Sequence, residues 1–211
     1  LMGGDFFDYP KPVSLIKYLF NFISEDNDLV LDFFAGSGTT AESVLRSNLD
    51  SKRCKYILVQ LPEALDPSNA TDKNQKEKVE QARAFLNSLF KPANIAELSK
   101  ERIRRTAKKI QEENPDYDGD LGFKVFKLDS SNIKRWKADF ETLEQDLLGA
   151  VDYIKKERSS EDVLYELLLK YGLDLNVPIE TLIIAGKTIY SIGLGALVVC
   201  LEKDVSMDVV N

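Results

Sequence analysis

The sequence predicts an α/β fold built around a βαβ unit near the start of the chain. A strand-like apolar run, residues 29–31, leads into the glycine-rich stretch 32–40 (DFFAGSGTT) and then into the helix-compatible run 41–46. A second β-branched and aromatic run, residues 55–61, predicts another strand. Two such strands joined through one helix pair in parallel, and a strand, a glycine turn and a helix in succession are typical of a nucleotide-type cofactor site.

The composition is ordinary for a soluble globular protein and restricts the possible chemistry. The 211 residues are 44% hydrophobic and 30% charged, and the net charge of −7 argues against nucleic-acid binding driven by overall charge. Histidine is absent, which removes the commonest general base and metal ligand, so no metal site is predicted. Cys54 and Cys200 are far apart and predict reduced side chains in a cytoplasmic protein.

Membrane insertion and export are not expected. No apolar run approaches about 18 residues, so no transmembrane helix is predicted. The start, Leu1-Met2-Gly3-Gly4, is neither a signal peptide nor a natural initiator sequence, and the end, Val209-Val210-Asn211, stops in an apolar element. Both ends predict a piece of a longer protein.

Local patterns predict the remaining elements. Helical periodicity follows Pro12 over residues 13–23, and charged helical character extends over residues 73–113, with a break at Lys91-Pro92 and an N-cap at Asn94. Residues 122–128 predict a half-exposed strand, and residues 139–171 predict helices, the last of which ends at a C-cap, Gly172. Trp136 is expected in the core. A hairpin is expected at residues 187–192 and 196–201, and a last helix from residue 205.

The glycine motif leaves several ligands open when it is taken by itself. Residues 36–41 satisfy the G-x-G-x-x-A dinucleotide pattern, but a turn that only needs glycines would satisfy it too. No Gly-Lys-Ser/Thr follows at the spacing of a phosphate-binding Walker loop. Asp32, at the predicted strand end, suits a ligand with an amino group, which a nicotinamide cofactor would not present there.

Six stretches of the sequence carry a resemblance to a known family. Residues 32–40 resemble motif I of amino-group DNA methyltransferases, and residues 8–16 (DYPKPVSLI) resemble motif X, which precedes motif I in the permuted beta class. Residues 55–63 (KYILVQLPE) are similar to the motif II region of type III restriction–modification methyltransferase subunits. So are residues 100–105, residues 123–132 and the hairpin at residues 190–193.

The resemblance implies a Rossmann-like domain that binds S-adenosylmethionine. Asp32 and the loop from Phe34 to Gly38 would hold the methionine part of the cofactor, and Lys11, Pro12 and Ser14 would close over the same end. The second strand normally ends at an acid that takes the ribose hydroxyls; here Gln60 is at the strand end and Glu63 is the nearest acid. The implied cofactor-binding residues are Lys11, Pro12, Ser14, Asp32, Phe33, Phe34, Gly36, Ser37, Gly38, Thr39, Gln60 and Glu63.

No catalytic residue is assigned within this chain. The Asp-Pro-Pro-Tyr-like motif of the family is absent, and in the permuted class it would precede motif X, as would the target-recognition region. Asn114-Pro115-Asp116-Tyr117 lacks the second proline and follows a charged helix, so a turn is predicted there.

A basic run on the second charged helix has two interpretations. Residues 100–109 hold six cations and one acid, a composition typical of a solvated helix face. The alternative is phosphate contact beside the target DNA, through Arg102, Arg104 and Arg105.

These inferences combine into one hypothesis for the whole chain. Residues 1–70 would be the cofactor-binding part of the methyltransferase domain, 71–120 a charged helical segment and 121–211 a smaller α+β region. The resemblance implies methylation of the exocyclic amino group of adenine in double-stranded DNA, a restriction subunit as partner and a homodimer of modification subunits. The alternatives are a non-catalytic assembly module and an NAD-dependent oxidoreductase.

Overall fold

The computed structural model describes residues 2–4, 6–7, 10–50, 52–134 and 154–210. The chain divides into two compact units, Leu1–Val125 and Phe126–Asn211. Part of the motif X stretch, Asp8-Tyr9, and the predicted core residue Trp136 lie outside the described residues, as does the predicted helical region 139–153.

The first unit contains the predicted βαβ arrangement. Helix α1 (Val13–Ile23) precedes strand β1 (Leu29–Asp32), and helix α2 (Thr39–Asn48) leads to strand β2 (Lys55–Leu58). The two strands pair in parallel, with Leu29 opposite Lys55 and Asp32 opposite Leu58. The parallel pair is therefore confirmed, while the larger sheet of a Rossmann-like domain stays a prediction, since the described residues form only a two-stranded and a three-stranded sheet.

Two further helices and a short turn complete this unit. A 3₁₀ turn (Pro67–Asn69) is followed by α3 (Lys73–Ser88) and α4 (Ile95–Glu113). Asp72 and Asn94 cap the two helices, since their side chains accept the backbone N–H groups of Gln75 at 2.8 Å and Glu97 at 2.9 Å. The predicted cap at Asn94 is confirmed, and each cap supplies a partner for an otherwise unpaired donor.

The core of the first unit joins α2 to α4. Ala41 and Leu45 of α2 pack with Ile103 and Ile110 of α4, and Tyr56 of β2 lies against them. Burial, together with the charge of Asp120, raises the pKa of Tyr56 to about 12. A second cluster joins α1 to α2 through Phe20, Val44 and Cys54. α4 is therefore fixed directly behind the helix that follows the glycine loop.

The predicted strand at residues 122–128 is wrong. These residues form no strand, and Phe123 instead packs on the core while the Arg104 guanidinium lies 5.6 Å from the centre of its ring. The alternation of apolar and basic residues therefore reflects how side chains such as Phe123 pack. Among the described residues, the backbone of this segment has no neighbouring strand with which to pair. The turn predicted at residues 114–117 is present, with the Tyr117 N–H donating to the Asn114 carbonyl at 3.0 Å.

The second unit is a helix beside a three-stranded antiparallel sheet. Its elements are α5 (Ser160–Lys170), β3 (Ile179–Ile184), β4 (Lys187–Ile192), β5 (Leu197–Cys200) and the short α6 (Met207–Val210). Leu164 and Leu168 of α5 pack against Ile192 and Val199 of the sheet. The predicted hairpin of β4 and β5 is confirmed, and the final helix begins two residues after the predicted start.

The limits of α5 follow from its caps. Ser159 and Asp162 form a reciprocal capping box, so the helix begins at Ser160. The sequence predicted helix over residues 139–171, but residues 154–159 are not helical. At the other end Gly172 has φ +69°, and the Gly172 and Leu173 N–H groups donate to the carbonyls of Leu169 and Leu168. This is a Schellman motif, which confirms the predicted role of Gly172 in ending the helix.

Within the described ranges, no helix combines the length and apolar character needed to cross a membrane.

Candidate functional site

Backbone hydrogen bonds hold the glycine loop against the end of the second strand. The Val59 N–H donates to the Asp32 carbonyl at 2.8 Å, and the Ala35 N–H donates to the Val59 carbonyl at 3.1 Å. These bonds continue the parallel pairing beyond Asp32, where β1 ends. The loop therefore leaves the sheet at its carboxyl edge, the edge at which ligands of α/β proteins bind.

Two glycines allow the loop to turn and to approach α4 closely. Gly36 has φ +52° and Gly38 has φ +73°, both in the left-handed region that favours glycine. A Cβ at Gly38 would lie 3.3 Å from the Ser99 carbonyl oxygen, so the absence of a side chain permits this contact. Gly38 is also the N-cap of α2, and the loop thus delivers the chain directly into the helix.

Asp32 has both carboxylate oxygens held by the loop that follows it. Oδ1 accepts the Phe34 N–H at 3.0 Å, and Oδ2 accepts the Thr40 hydroxyl at 2.6 Å. The side chain is half-buried and therefore remains accessible to a ligand. The carboxylate is pre-oriented at the end of β1, which is the position expected for recognition of an amino group.

A cleft of about 280 Å³ opens beside this carboxylate. It is bounded on one side by the segment before α1 and on the other by the glycine loop. Its lining comprises Phe7, Pro10, Lys11, Ile16, Asp32, Phe34, Ala35, Gly36, Ser37, Thr39 and Thr40.

Half of the predicted cofactor residues come together at this cleft. Lys11, Asp32, Phe34, Gly36, Ser37 and Thr39 line it. The others, Pro12, Ser14, Phe33, Gly38, Gln60 and Glu63, do not. Ala35, within the predicted loop 34–38, lines it too, and Phe7, Pro10, Ile16 and Thr40 line the cleft without having been predicted. Thr40 was predictable from the sequence. Its hydroxyl lies in the first turn of the helix that follows the glycine loop, eight positions after Asp32, whose carboxylate it binds.

Gln60 and Glu63 differ in how much of their hydrogen-bonding capacity is in use. The Gln60 Oε1 accepts the Gly36 N–H at 2.7 Å, and its Nε2 donates to the Leu61 carbonyl at 3.1 Å. Gln60 therefore helps to hold the loop. The Glu63 side chain is exposed, and its main-chain carbonyl accepts the Ile95 N–H at 3.0 Å.

Arg102 lies behind the glycine loop in a largely buried network. Its Nε donates to Glu42 Oε2 at 2.8 Å, and its Nη1 donates to the Ser37 hydroxyl at 2.9 Å and the Thr39 hydroxyl at 3.0 Å. The side chain of Arg102 is 15% exposed and that of Glu42 is 8% exposed. These contacts favour a structural role for Arg102 over contact with DNA phosphate.

Arg104 and Arg105 belong to a different environment on the same helix. Both pair with Glu101, at 3.6 Å and 2.8 Å respectively. The Arg105 guanidinium also lies 4.7 Å from the centre of the Phe85 ring. The three arginines therefore do not form one basic surface, and a role in DNA binding stays a prediction for Arg104 and Arg105.

The part of the chain that contains this site is similar to known proteins. Residues 3–64, which include the cleft and the glycine loop, match the model of a DNA methylase family. The chain is 37% identical over 129 residues to the StyLTI Mod subunit, from a type III restriction-modification enzyme of Salmonella typhimurium. That match covers 61% of this chain and 17% of the Mod subunit.

Two further relatives have matches of different length. The EcoP15I Mod subunit, from a type III enzyme of Escherichia coli, is 34% identical over 123 residues, which are 58% of this chain and 15% of that protein. The type II methyltransferase M.KpnI of Klebsiella pneumoniae is 39% identical over 61 residues, which are 28% of this chain and 15% of that protein. The chain thus spans about one sixth of the length of the relatives that it matches.

Proposed function

We propose that this chain, which is similar to type III modification subunits and carries a match to a DNA methylase family, forms the S-adenosylmethionine-binding part of a DNA methyltransferase. The parent enzyme would transfer a methyl group to the exocyclic amino group of adenine. The cofactor-binding part would lie within a Rossmann-like domain over residues 1–70, followed by a helical segment to residue 120 and a C-terminal region.

The oriented carboxylate of Asp32 carries this proposal. Its two hydrogen bonds, from the Phe34 N–H and the Thr40 hydroxyl, hold it at the end of β1 beside the cleft. A fixed carboxylate favours a ligand that presents a cationic amino group. The methionine end of S-adenosylmethionine has such a group, and the adjacent sulfonium adds a second positive charge.

The rest of the cleft is compatible with one end of this cofactor. Its volume of about 280 Å³ lies just below the range of roughly 300–1,000 Å³ that is usual for ligand pockets. Phe34 is 90% exposed and available to cover a ligand, and Lys11 also lines the cleft. For the ribose, the contacts of Gln60 with the loop favour the exposed Glu63 as the group that takes the hydroxyls.

Within the reaction, this chain would bind and orient the methyl donor. S-adenosylmethionine supplies a methyl group on a sulfonium, which is already a good leaving group, so placement matters more than a strong base. The absence of histidine agrees with this division of labour. We assign no catalytic side chain to these 211 residues, because the Asp-Pro-Pro-Tyr-like motif is not among them.

The proposed partners are those that the resemblance to type III modification subunits implies. As a modification subunit, the parent protein would act on double-stranded DNA in the cytoplasm, assemble with a restriction subunit and form a homodimer. The nicotinamide alternative fits less well, because Asp32 would place a carboxylate beside the pyrophosphate of a dinucleotide at the start of α2, where like charges repel.

Methyl transfer by the full-length protein tests the proposed function. The protein is incubated with DNA and S-adenosylmethionine that carries a labelled methyl group, and the DNA is then digested to nucleosides. We expect the label in N6-methyladenine, with no change when NAD is added in excess. Label in N4-methylcytosine would contradict the proposed base, and unlabelled DNA together with no binding of the methyl donor would contradict the proposed function.

A further inference from the structure

Helix α4 contacts the glycine loop at two points. The Ser99 hydroxyl donates to the Gly36 carbonyl, and the Ser99 carbonyl oxygen is the atom that a Cβ at Gly38 would approach to 3.3 Å. Arg102, one helical turn later, donates to the Ser37 and Thr39 hydroxyls at 2.9 and 3.0 Å. Four consecutive residues of the loop, 36–39, are thus held by one face of α4.

The Arg102 guanidinium also connects α4 to α2. Glu42, in the first turn of α2, accepts Arg102 Nε on one carboxylate oxygen at 2.8 Å and Arg46 Nε on the other at 3.1 Å. An acidic side chain in the first turn also interacts favourably with the helix dipole. A largely buried carboxylate with two arginine partners gives the pair a defined geometry, which isolated surface ion pairs do not have.

Ser37 and Thr39 connect this network to the cleft. Both residues line the cleft, and the hydroxyls of both accept the same Arg102 nitrogen. The two hydroxyls also lie 2.9 Å apart and hydrogen-bond to each other. The position of Arg102 therefore determines where one wall of the cleft stands.

From this arrangement we propose that Ser99 and Arg102 are positioning residues for the cofactor loop. α4 acts as a brace that holds residues 36–39 in the geometry that receives S-adenosylmethionine. The identity of the ligand rests on the proposed function, whereas the brace rests on the contacts themselves. On this proposal Arg102 makes no phosphate contact with DNA, because its Nε and Nη1 are already bound to Glu42, Ser37 and Thr39.

Matched substitutions in the full-length protein test the brace. S-adenosylhomocysteine is the probe, and its Kd is measured by calorimetry. S99A removes one hydroxyl that contacts the loop, and T106V removes one hydroxyl from the same helix that is buried without a hydrogen-bond partner. We expect S99A to raise the Kd by about threefold to tenfold, while T106V leaves it within about twofold, since one hydrogen bond is worth roughly 1 kcal/mol.

A second pair of variants addresses the guanidinium. We expect R102M to raise the Kd by about tenfold or more, and R102K to raise it less because the charge beside Glu42 remains. K108M, which removes a cation from the exposed side of α4, should leave the Kd within about twofold. In methylation assays, R102K should raise KM for S-adenosylmethionine and leave kcat at saturating cofactor within about twofold.

DNA affinity measured over a range of salt concentrations distinguishes the possible results. The brace predicts that R102M and S99A keep the wild-type salt dependence of DNA binding. Wild-type Kd values for S-adenosylhomocysteine in both S99A and R102K would overturn it. So would an R102M protein that binds the probe normally but loses about one unit of slope in its salt dependence, since loss of slope on removal of the charge marks a phosphate contact. A wild-type protein that binds no S-adenosylhomocysteine would instead contradict the proposed function.

Discussion

Gly38 and Gly172 have nearly the same backbone conformation but different surroundings. Their φ angles are +73° and +69°, both in the left-handed region. A Cβ would meet the Ser99 carbonyl oxygen at 3.3 Å at Gly38, whereas at Gly172 no atom lies within 4 Å. Gly38 is needed both for its conformation and for the close approach of α4, and Gly172 only for its conformation.

Alanine at these two positions should therefore have unequal effects. We expect G172A to lower the free energy of unfolding by about 1–2 kcal/mol, which is the usual cost of a left-handed residue with a side chain. G38A should cost more than G172A, because the new methyl group also displaces Ser99. Urea denaturation of each variant against the wild-type protein measures both values, and an equal cost at the two positions would contradict the role assigned to the contact with α4.

Some residues of the site could be predicted from the sequence and others could not. Asp32 and the glycines were predictable, because the strand, the turn and the helix are adjacent in the chain and their spacing is characteristic. The partners from α4 were not, since Arg102 and Ser99 lie 60 and 63 positions from the residues that they contact, Glu42 and Gly36. A run of six cations predicts a charged face, but it does not show which of them points inward.

At the scale of single elements, α5 has a carboxylate with an unusual set of partners. Glu166 accepts the Ser131 hydroxyl and the Asn132 N–H, both at 2.6 Å, and pairs with Lys170 at 2.8 Å. Burial by itself would raise the pKa of Glu166, but the hydrogen bonds from Lys170, Ser131 and Asn132 outweigh it and lower the pKa to about 2. Glu166 thereby connects residues 131 and 132 to α5.

This lowered pKa predicts a loss of stability in acid. A carboxyl with a folded pKa below its unfolded value of 4.5 stabilises the fold above pH 4.5, and that contribution is lost as the pH falls towards 2. We expect E166Q to lose less stability than wild type between pH 4.5 and 2 when unfolding is followed by circular dichroism. Part of the loss should remain, because the hydrogen bond and charge of Arg158 also lower the pKa of Asp129 to about 2.

A matched control is available on the same helix. E161Q removes an exposed carboxylate in the first turn of α5 and should keep the wild-type acid profile. If E166Q and E161Q both followed the wild-type curve, the hydrogen bonds to Glu166 would have no part in acid stability.

Elements defined by local signals were predictable, and those defined by distant partners were not. The caps at Asn94 and Gly172 mark helix ends through bonds to nearby residues, so their sequence signals were sufficient. β3 was not predicted, because it is mostly exposed and lacks a regular alternation of buried and exposed residues. The alternation at residues 122–128 suggested a strand, but a strand also requires a neighbour, and sequence periodicity contains no information about one.

At the scale of the whole molecule, the family match and the cleft coincide. Residues 3–64 carry the match to the DNA methylase family, and every residue that lines the cleft falls within them. The brace from α4 lies outside this range but inside the same compact unit, which extends to Val125. The proposed methyl-donor site therefore lies within the first unit, with Asp32 at its centre.

Calorimetry with S-adenosylmethionine on the full-length protein tests this central claim most directly. The comparison is between D32N and the control D28N. Asp28 precedes β1, at the end of the strand away from the cleft. Its side chain accepts a local hydrogen bond, from the Glu25 N–H at 2.7 Å. We expect D32N to weaken binding by about tenfold or more, because a hydrogen bond to a charged group contributes about 1.5–3 kcal/mol. D28N should bind within about twofold of wild type. A folded D32N protein with wild-type affinity would contradict the account.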